Sequence, residues 1–158
     1  MTDRITGKEY IVLEKSTFTL NSHVNQQKCH NIGGKLPEPK NEHENLFLDR
    51  FNTERFLLGI HRNAADQWAF DSDNSLLTFQ SWVHWKGYPS WPRTENGNCV
   101  SMLRNSGKDN RGHRTRDWAN NDCASNDFLD ARPRSLICEK ATGESTEHVT
   151  FCCPLNIR

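Results

Sequence analysis

Six cysteines restrict this chain more than any other feature of its sequence. They form an even and widely spaced set with no Cys-x-x-Cys pair, namely Cys29, Cys99, Cys123, Cys138, Cys152 and Cys153. Zinc ribbons and thioredoxin-type redox sites depend on such close pairs, so the spacing disfavours both. A framework of disulfides in an oxidising compartment fits better, although the number of cysteines alone leaves fifteen pairings open.

The hydrophobic content of the chain is low for a protein that must bury a core. Hydrophobic residues are 34% of the 158 residues, which is below the usual share in globular proteins. The length is that of one domain, and we expect disulfides to supplement a modest core.

The charges are balanced, because 20 Lys and Arg residues offset 20 Asp and Glu residues. This balance does not favour nucleic acid or an acidic membrane surface as a partner. Residues 1–10 lack the apolar region of a signal peptide, and no apolar run approaches the roughly 18 residues of a membrane span. We therefore expect a soluble chain without membrane insertion, in which Met1 precedes a mature sequence if the protein is secreted.

Hydrophobic spacing and capping patterns predict two helices. Apolar residues near helical spacing, among them Val24 and Cys29, indicate a helix over residues 21–32 that ends at the Gly33-Gly34 pair. Asn41, followed three residues later by a glutamate and then by an apolar run, is a capping pattern that predicts the start of a second helix.

Short apolar runs between turn-forming residues predict the strands. These runs cover residues 10–13, 56–60, 68–70, 76–79, 99–103 and 136–140, and we expect the last strand to lie beside the first. A further strand over residues 114–118 is expected to return after a turn as the partner of residues 99–103. Residues 83–98 are rich in Trp, Pro, Gly and Asn and have no period, which predicts one long, ordered and functional loop.

Several short motifs, taken in their order along the chain, resemble the C-type lectin-like domain. They are Cys29 to Leu36 (Cys-x-x-x-Gly-Gly-Lys-Leu), Leu57-Leu58-Gly59-Ile60, Asn98-Cys99-Val100, Trp118 to Cys123, and Ile137-Cys138-Glu139-Lys140. The resemblance covers roughly residues 9–140. It implies an α+β fold of two helices and two small, mainly antiparallel sheets with a long loop, stabilised by the disulfides Cys29–Cys138 and Cys99–Cys123. The lectin-like domain would occupy residues 1–141, and residues 142–158 would form a C-terminal tail.

The resemblance also locates the calcium site through which sugar-binding members of the family act. Its ligands are a Glu and an Asn on either side of a cis-proline, a Glu two residues before a cysteine, and an Asn-Asp pair after a tryptophan. The matching residues here are Tyr88-Pro89-Ser90, Gly97 and Ala119-Asn120. None of them has a carboxylate, so we predict no calcium at that place. Glu95, Asp117 and Asp122 are near in sequence and leave a displaced calcium site as the alternative.

Aromatic, amide and cationic side chains are the remaining candidates for ligand contact. Aromatic faces stack on sugars and also anchor protein interfaces, and arginine binds acidic groups through paired hydrogen bonds. The candidate ligand-binding residues are Trp85, Tyr88, Ser90, Trp91, Arg93, Asn96, Arg114, Arg116, Asn120 and Asn121. The alternatives are packing within the loop for the aromatic residues, turn or backbone capping for the asparagines, and a solvated hairpin for the arginine-rich segment. Family position assigns Trp82 to the core.

These features predict a recognition module rather than an enzyme. No His-Glu-x-x-His or Gly-x-Ser-x-Gly motif occurs. The expected function is secreted, extracellular carbohydrate binding through the long-loop face without a cofactor, and the alternative is calcium-independent binding of a protein partner. Cys152 and Cys153 fall outside both core disulfides, so we expect them either to link two chains into a dimer or to lie in a mobile tail.

Overall fold

The elements of the fold are taken from a computed structural model, which describes residues 1–13, 21–51, 55–83, 91–103, 117–124 and 136–141. In chain order they are β1 (Thr2–Asp3), β2 (Lys8–Leu13), α1 (Ser22–Asn31), α2 (Glu42–Leu48), β3 (Phe56–Arg62), β4 (Trp68–Phe70), β5 (Cys99–Met102), β6 (Trp118–Asn121) and β7 (Leu136–Ala141). Single turns of 3-10 helix lie at Asp49–Phe51 and Thr94–Asn96. The predicted tail 142–158, with Cys152 and Cys153, lies outside these residues.

The strands form two antiparallel sheets, as the sequence predicted. One has the order β1-β2-β7 and the other the order β4-β3-β5-β6. In the first sheet, β2 and β7 pair along their full length, from Lys8 opposite Ala141 to Leu13 opposite Leu136. The expectation that the last strand lies beside the first predicted strand is therefore confirmed.

Both predicted helices are present, and the second begins at the predicted cap, Asn41. The side-chain oxygen of Asn21 accepts a hydrogen bond from Val24 N at 3.0 Å, and that of Asn41 accepts one from Glu44 N at 2.9 Å. The inward face of α1 differs from the predicted one, because Val24 is 41% exposed. Asn25 is buried instead, since it is four residues from the buried Cys29 and shares its face of the helix.

One strand prediction is wrong and another can be compared only in part. Residues 76–79 make a single bridge, between Ala69 and Leu76, and Leu76 is 52% exposed. Of the strand predicted at 114–118, residues 114–116 lie outside the described residues, and Trp118 begins β6, which continues to Asn121 and pairs with β5. Asparagine is rare in strands, so local preference argued against β6, but burial between neighbouring elements overrides that preference.

Trp118 lies at the centre of the core and is fully buried. The apolar residues packed with it are Tyr10, Phe47, Leu48, Phe56, Leu58, Ile60, Phe70, Val100, Met102 and Ile137. Trp82 packs edge-on against Trp118, with 5.6 Å between ring centroids, and is partly buried beside the core as predicted.

Two disulfides tie the elements together with the predicted pairing. Cys29–Cys138 joins α1 to β7, and Cys99–Cys123 joins the start of β5 to the residues after β6. Among the described residues, neither helix has the length and apolar character that crossing a membrane requires.

Candidate functional site

The described part of the long loop runs from Trp91 to Asn98 and leads directly into β5. A cis peptide bond joins Trp91 to Pro92, and the 3-10 turn Thr94–Asn96 ends at Gly97, whose φ is 124°. Half of the candidate ligand-binding residues lie outside the described chain, namely Trp85, Tyr88, Ser90, Arg114 and Arg116. The structure describes the other five and gathers them between this loop and β6.

One buried side chain, Asn120, holds the loop against β6. Its Nδ2 donates to Arg93 O at 2.5 Å and to Gly97 O at 2.7 Å, and its Oδ1 accepts from Arg93 N at 2.9 Å. Asn120 is only 2% exposed. One carboxamide therefore satisfies backbone groups on both sides of the 3-10 turn, so the shape of the loop depends on a residue of the sheet.

Gly97 approaches β6 so closely that no side chain fits at its position. A Cβ atom there would overlap the backbone carbonyl of Asn121 and the nitrogen of Asp122. Its positive φ also disfavours any residue other than glycine. The resemblance places a calcium-binding glutamate at this position, and the path of the backbone excludes one.

The described residues matched to the calcium site do not fit a calcium ion. Ala119 has no side-chain oxygen, and Asn120 Oδ1 already accepts from Arg93 N. The cis-proline of the described loop is Pro92, whereas the sequence match placed it at Pro89, which lies outside the described residues. The neighbours of Pro92 are Trp91 and Arg93, and neither supplies a carboxylate.

Two of the three acidic residues named for a displaced site take part in local hydrogen bonds, and the third, Glu95, is exposed on the 3-10 turn. Asp117 accepts from the hydroxyl of Ser81 at 3.1 Å, and Asp122 accepts from Ala124 N at 3.0 Å. Within the described residues, no three His, Cys, Asp or Glu side chains are placed to hold a metal ion together.

An arginine stacked on a tryptophan is the main chemical feature of the described loop. The guanidinium carbon of Arg93 lies 3.8 Å from the ring centre of Trp91, and both residues are half-buried. Such a pair is worth roughly 0.5–2 kcal/mol and presents a flat face beside hydrogen-bond donors. Asn96 is half-buried on the same turn, and Asn121 is buried with its Nδ2 donating to Asp122 O at 3.0 Å.

A second polar cluster, which the sequence analysis missed, lies beneath the β2–β7 sheet. Lys8 Nζ is 2.9 Å from Glu44 Oε1, 3.3 Å from Glu139 Oε1 and 3.2 Å from Glu38 O. Burial raises the pKa of Glu139, while the charge of Lys8 acts in the opposite direction. A buried strand that continues from the apolar run Leu136–Cys138 directly into Glu139 was the signal that could have revealed this cluster. Because its charges are paired internally, we assign it to stability.

A family model described as the lectin C-type domain matches residues 19–140 of the chain. The comparison with curated protein sequences found no match.

Solved structures of similar fold include several that are 17–20% identical to this chain. A calcium-independent type II antifreeze protein is 17% identical with a TM-score of 0.60, over 85% of this chain and 87% of that one. The C-type carbohydrate-recognition domain of cow CD23, solved in the presence of a GlcNAc2Man3 oligosaccharide, is 19% identical with a TM-score of 0.60, over 85% and 88%. Human lithostathine is 19% identical with a TM-score of 0.60, over 85% and 92%. At these identities the likeness concerns the fold alone.

Proposed function

The chain belongs to the family of C-type lectin domains, and we propose that it is a non-enzymatic recognition module that binds carbohydrate without calcium through the face formed by loop 91–98 and β6. The observation that carries the proposal is the fixation of this loop by Asn120. Three hydrogen bonds from one buried side chain give the loop a defined shape without a metal ion, and a preformed site binds at lower entropic cost.

The chemistry offered at this face suits a sugar. The Trp91 ring is an apolar surface for the CH groups of a pyranose, and the Arg93 guanidinium beside it can donate to hydroxyl or acidic groups. The half-buried Asn96 adds an amide that both donates and accepts. Trp85 and Tyr88, which precede this segment in the chain, are proposed as further ligand contacts.

A glycan array tests the proposal directly. We expect the purified chain to bind a restricted set of glycans, with equal signal in millimolar calcium and in excess chelator. Loss of binding on chelation would show that calcium takes part and would contradict the metal-free site. A chain that binds no glycan in either buffer would contradict carbohydrate binding.

A Trp91→Ala variant separates ligand contact from loop packing. We expect its array signal to fall at least tenfold while its melting temperature changes little, because Trp91 is half-buried rather than a core residue. Trp68→Ala is the matched control, since Trp68 packs against the core and should lose stability instead. A large drop in the melting temperature of Trp91→Ala would show that Trp91 packs within the fold, and would contradict its assignment as a ligand contact.

The second candidate function is calcium-independent binding of a protein. The same Arg93–Trp91 pair favours it, because tryptophan and arginine are the residues that most often dominate the energetics of protein interfaces. Loss of protein-ligand binding in Trp91→Ala, together with silence on the glycan array, would select this function.

Secretion to the extracellular space is part of the proposal. Two long-range disulfides are typical of proteins that fold in an oxidising compartment. Cys152 and Cys153 are proposed to join two chains, and a single band at monomer mass on a non-reducing gel would contradict this.

A further inference from the structure

Helix α1 buries Asn25 and Cys29 on one face and turns a separate polar stripe toward an open cavity. His23, Gln26, Gln27 and His30 are spaced three, four and seven residues apart, so they share one face of the helix. All four line a cavity of about 560 Å³, a volume within the range of about 300–1,000 Å³ that is usual for small-molecule sites.

The opposite wall of this cavity is formed by β3 and the turn after β4. His61, on β3, and Asp71, directly after β4, face α1 across the cavity. Asp71 Oδ2 accepts from Gln26 Nε2 at 2.6 Å, and Asp71 Oδ1 lies 2.7 Å from His61 Nδ1. The two walls are thus joined through one carboxylate, which fixes the lining side chains before any ligand binds.

Asp71 is largely withdrawn from water, with a side chain only 14% exposed. Burial raises the pKa of Asp71, although its hydrogen bond with His61 acts in the opposite direction. A buried carboxylate is costly unless its hydrogen bonds are made, and here both oxygens have partners. Each oxygen keeps a further lone pair that a hydroxyl group could use.

The cavity is separate from the loop site. Its lining residues are Asn21, Ser22, His23, Gln26, Gln27, His30, His61, Asp71, Cys99, Cys123 and Ala124, and they include none of the candidate ligand-binding residues of the loop or β6.

The chemistry of the lining selects a class of ligand. Among the described residues that line it there is no Lys or Arg, and the single carboxylate among them, that of Asp71, already accepts two hydrogen bonds. The remaining polar groups are amides, imidazoles and a hydroxyl, which both donate and accept. Hydroxyl groups do the same, whereas a phosphate or sulfate binds best beside fixed positive charge. We propose that this cavity is a second binding site, which takes a neutral monosaccharide or a polyol of similar size. The inference does not rest on the proposed function of the loop.

Heteronuclear NMR titration of the labelled full chain tests this site, with glucose, galactose, mannose, N-acetylglucosamine and myo-inositol as probes. We expect at least one probe to cause saturable shifts in the amides of Gln26, His30 and His61. The expected Kd is on the order of 1 mM, because the described residues of the lining include no indole or phenol ring to stack on a sugar. Sodium sulfate and sodium acetate should not cause these shifts. Absence of saturable shifts with every neutral probe, or stronger shifts with either anion, would overturn the proposal.

Variants connect the shifts to the cavity. Gln26→Met removes the hydrogen bond to Asp71 at nearly constant volume and should weaken binding at least tenfold. Gln67→Met, on an exposed turn, is the matched control and should leave the Kd unchanged. If Gln26→Met does not fold, Gln27→Met serves instead, because Gln27 lines the same cavity from an exposed position. Unchanged affinity in the folded variant would overturn the assignment.

Two further outcomes separate this site from the alternatives. Trp91→Ala should abolish binding at the loop while the shifts at α1 persist, so the two proposals can fail independently. Zinc chloride is the last probe, because three histidines line the cavity. Saturation of the same amides by stoichiometric zinc, with no response to the neutral probes, would identify a metal site and contradict the proposal.

Discussion

Asn120 holds Arg93 by both of its backbone groups, accepting from Arg93 N at 2.9 Å and donating to Arg93 O at 2.5 Å. Since Asn120 is a buried residue of β6, the sheet rather than the loop itself determines where Arg93 and the stacked Trp91 lie. An amide is required at this position, because only a side chain with both an acceptor and two donors can satisfy Arg93 N, Arg93 O and Gly97 O together.

Asn120→Asp should destabilise the protein without creating a calcium site. The new carboxylate keeps the hydrogen bond from Arg93 N but faces two carbonyl oxygens to which it cannot donate. We expect the free energy of unfolding, measured in urea, to fall by roughly 2–4 kcal/mol. Asn121→Asp is the control on the same strand. It should lower the free energy of unfolding by less, because the Asn121 amide donates to the backbone oxygen of Asp122, whereas that of Asn120 donates to two backbone oxygens. Recovery of the lost stability in millimolar calcium would contradict this prediction.

Gly97→Ala should be far more damaging than Gly7→Ala. Both glycines have positive φ, but a Cβ at Gly7 has open space around it, whereas one at Gly97 overlaps the Asn121 carbonyl. Gly7→Ala therefore measures the backbone cost alone, about 1 kcal/mol. Gly97→Ala should cost roughly 3 kcal/mol or more, because β6 must move. Thermal unfolding of both variants measures the two costs. Equal decreases in stability would show that the close approach of Gly97 to Asn121 is not important.

The features of the site that depend on residue type could be predicted from the sequence, whereas those that depend on the path of the loop could not. The loss of calcium-binding carboxylates was evident from Gly97 and Ala119 alone. The role of Asn120 was not, since its partners are 23 and 27 residues away and no local pattern links them. The cavity beside α1 was missed for the same reason, because Gln26 and Asp71 meet only in the folded chain.

Local signals predicted the helices well, because a cap such as Asn41 acts on the residues next to it. The two disulfide pairings came from the family resemblance, since the number of cysteines could not select them. The predicted strand ended at Trp118, whereas β6 continues to Asn121. The continuation was not predicted because Asn120 and Asn121 disfavour strands on their own. Their burial against β5 compensates for that preference, and burial of this kind is not visible in a short window of sequence.

Lys8→Met should destabilise the fold strongly. Lys8 Nζ is paired with Glu44 and Glu139, which are both nearly inaccessible to solvent. In the variant, the buried carboxylates of Glu44 and Glu139 lose their ion pairs with Lys8. We therefore expect the free energy of unfolding to fall by about 3–5 kcal/mol.

Two comparisons test the cause of this loss. Lys35→Met removes a more exposed lysine, at 38% side-chain exposure, from the same cluster and should cost less. Adding Glu44→Gln to Lys8→Met should restore part of the stability. If the double variant is less stable than the single one by the full cost of Glu44→Gln alone, Lys8 and Glu44 are not coupled.

Glu139 and Asp3 should make the stability of the protein depend on pH in opposite directions. Burial raises the pKa of Glu139 above its ordinary value of 4.5, with Lys8 opposing the shift. Burial also acts to raise the pKa of Asp3, but hydrogen bonds from His43, Ile5 N and Thr6 outweigh it and lower that pKa below 3.8. The folded chain therefore holds a proton on Glu139 more tightly than the unfolded chain does, and a proton on Asp3 less tightly.

The contribution of Glu139 is present below about pH 4.5 and is lost as the pH rises through its raised pKa, whereas that of Asp3 is present above about pH 4 and is lost as the pH falls through its lowered pKa. Urea unfolding of the wild type, Glu139→Gln and Asp3→Asn between about pH 3 and pH 7 measures both effects. The stability of the wild type relative to Glu139→Gln should decrease with rising pH. Relative to Asp3→Asn, it should increase. If the Glu139 difference instead grew with pH, the ion pair with Lys8 would outweigh burial, and the direction assigned to the pKa of Glu139 would be wrong.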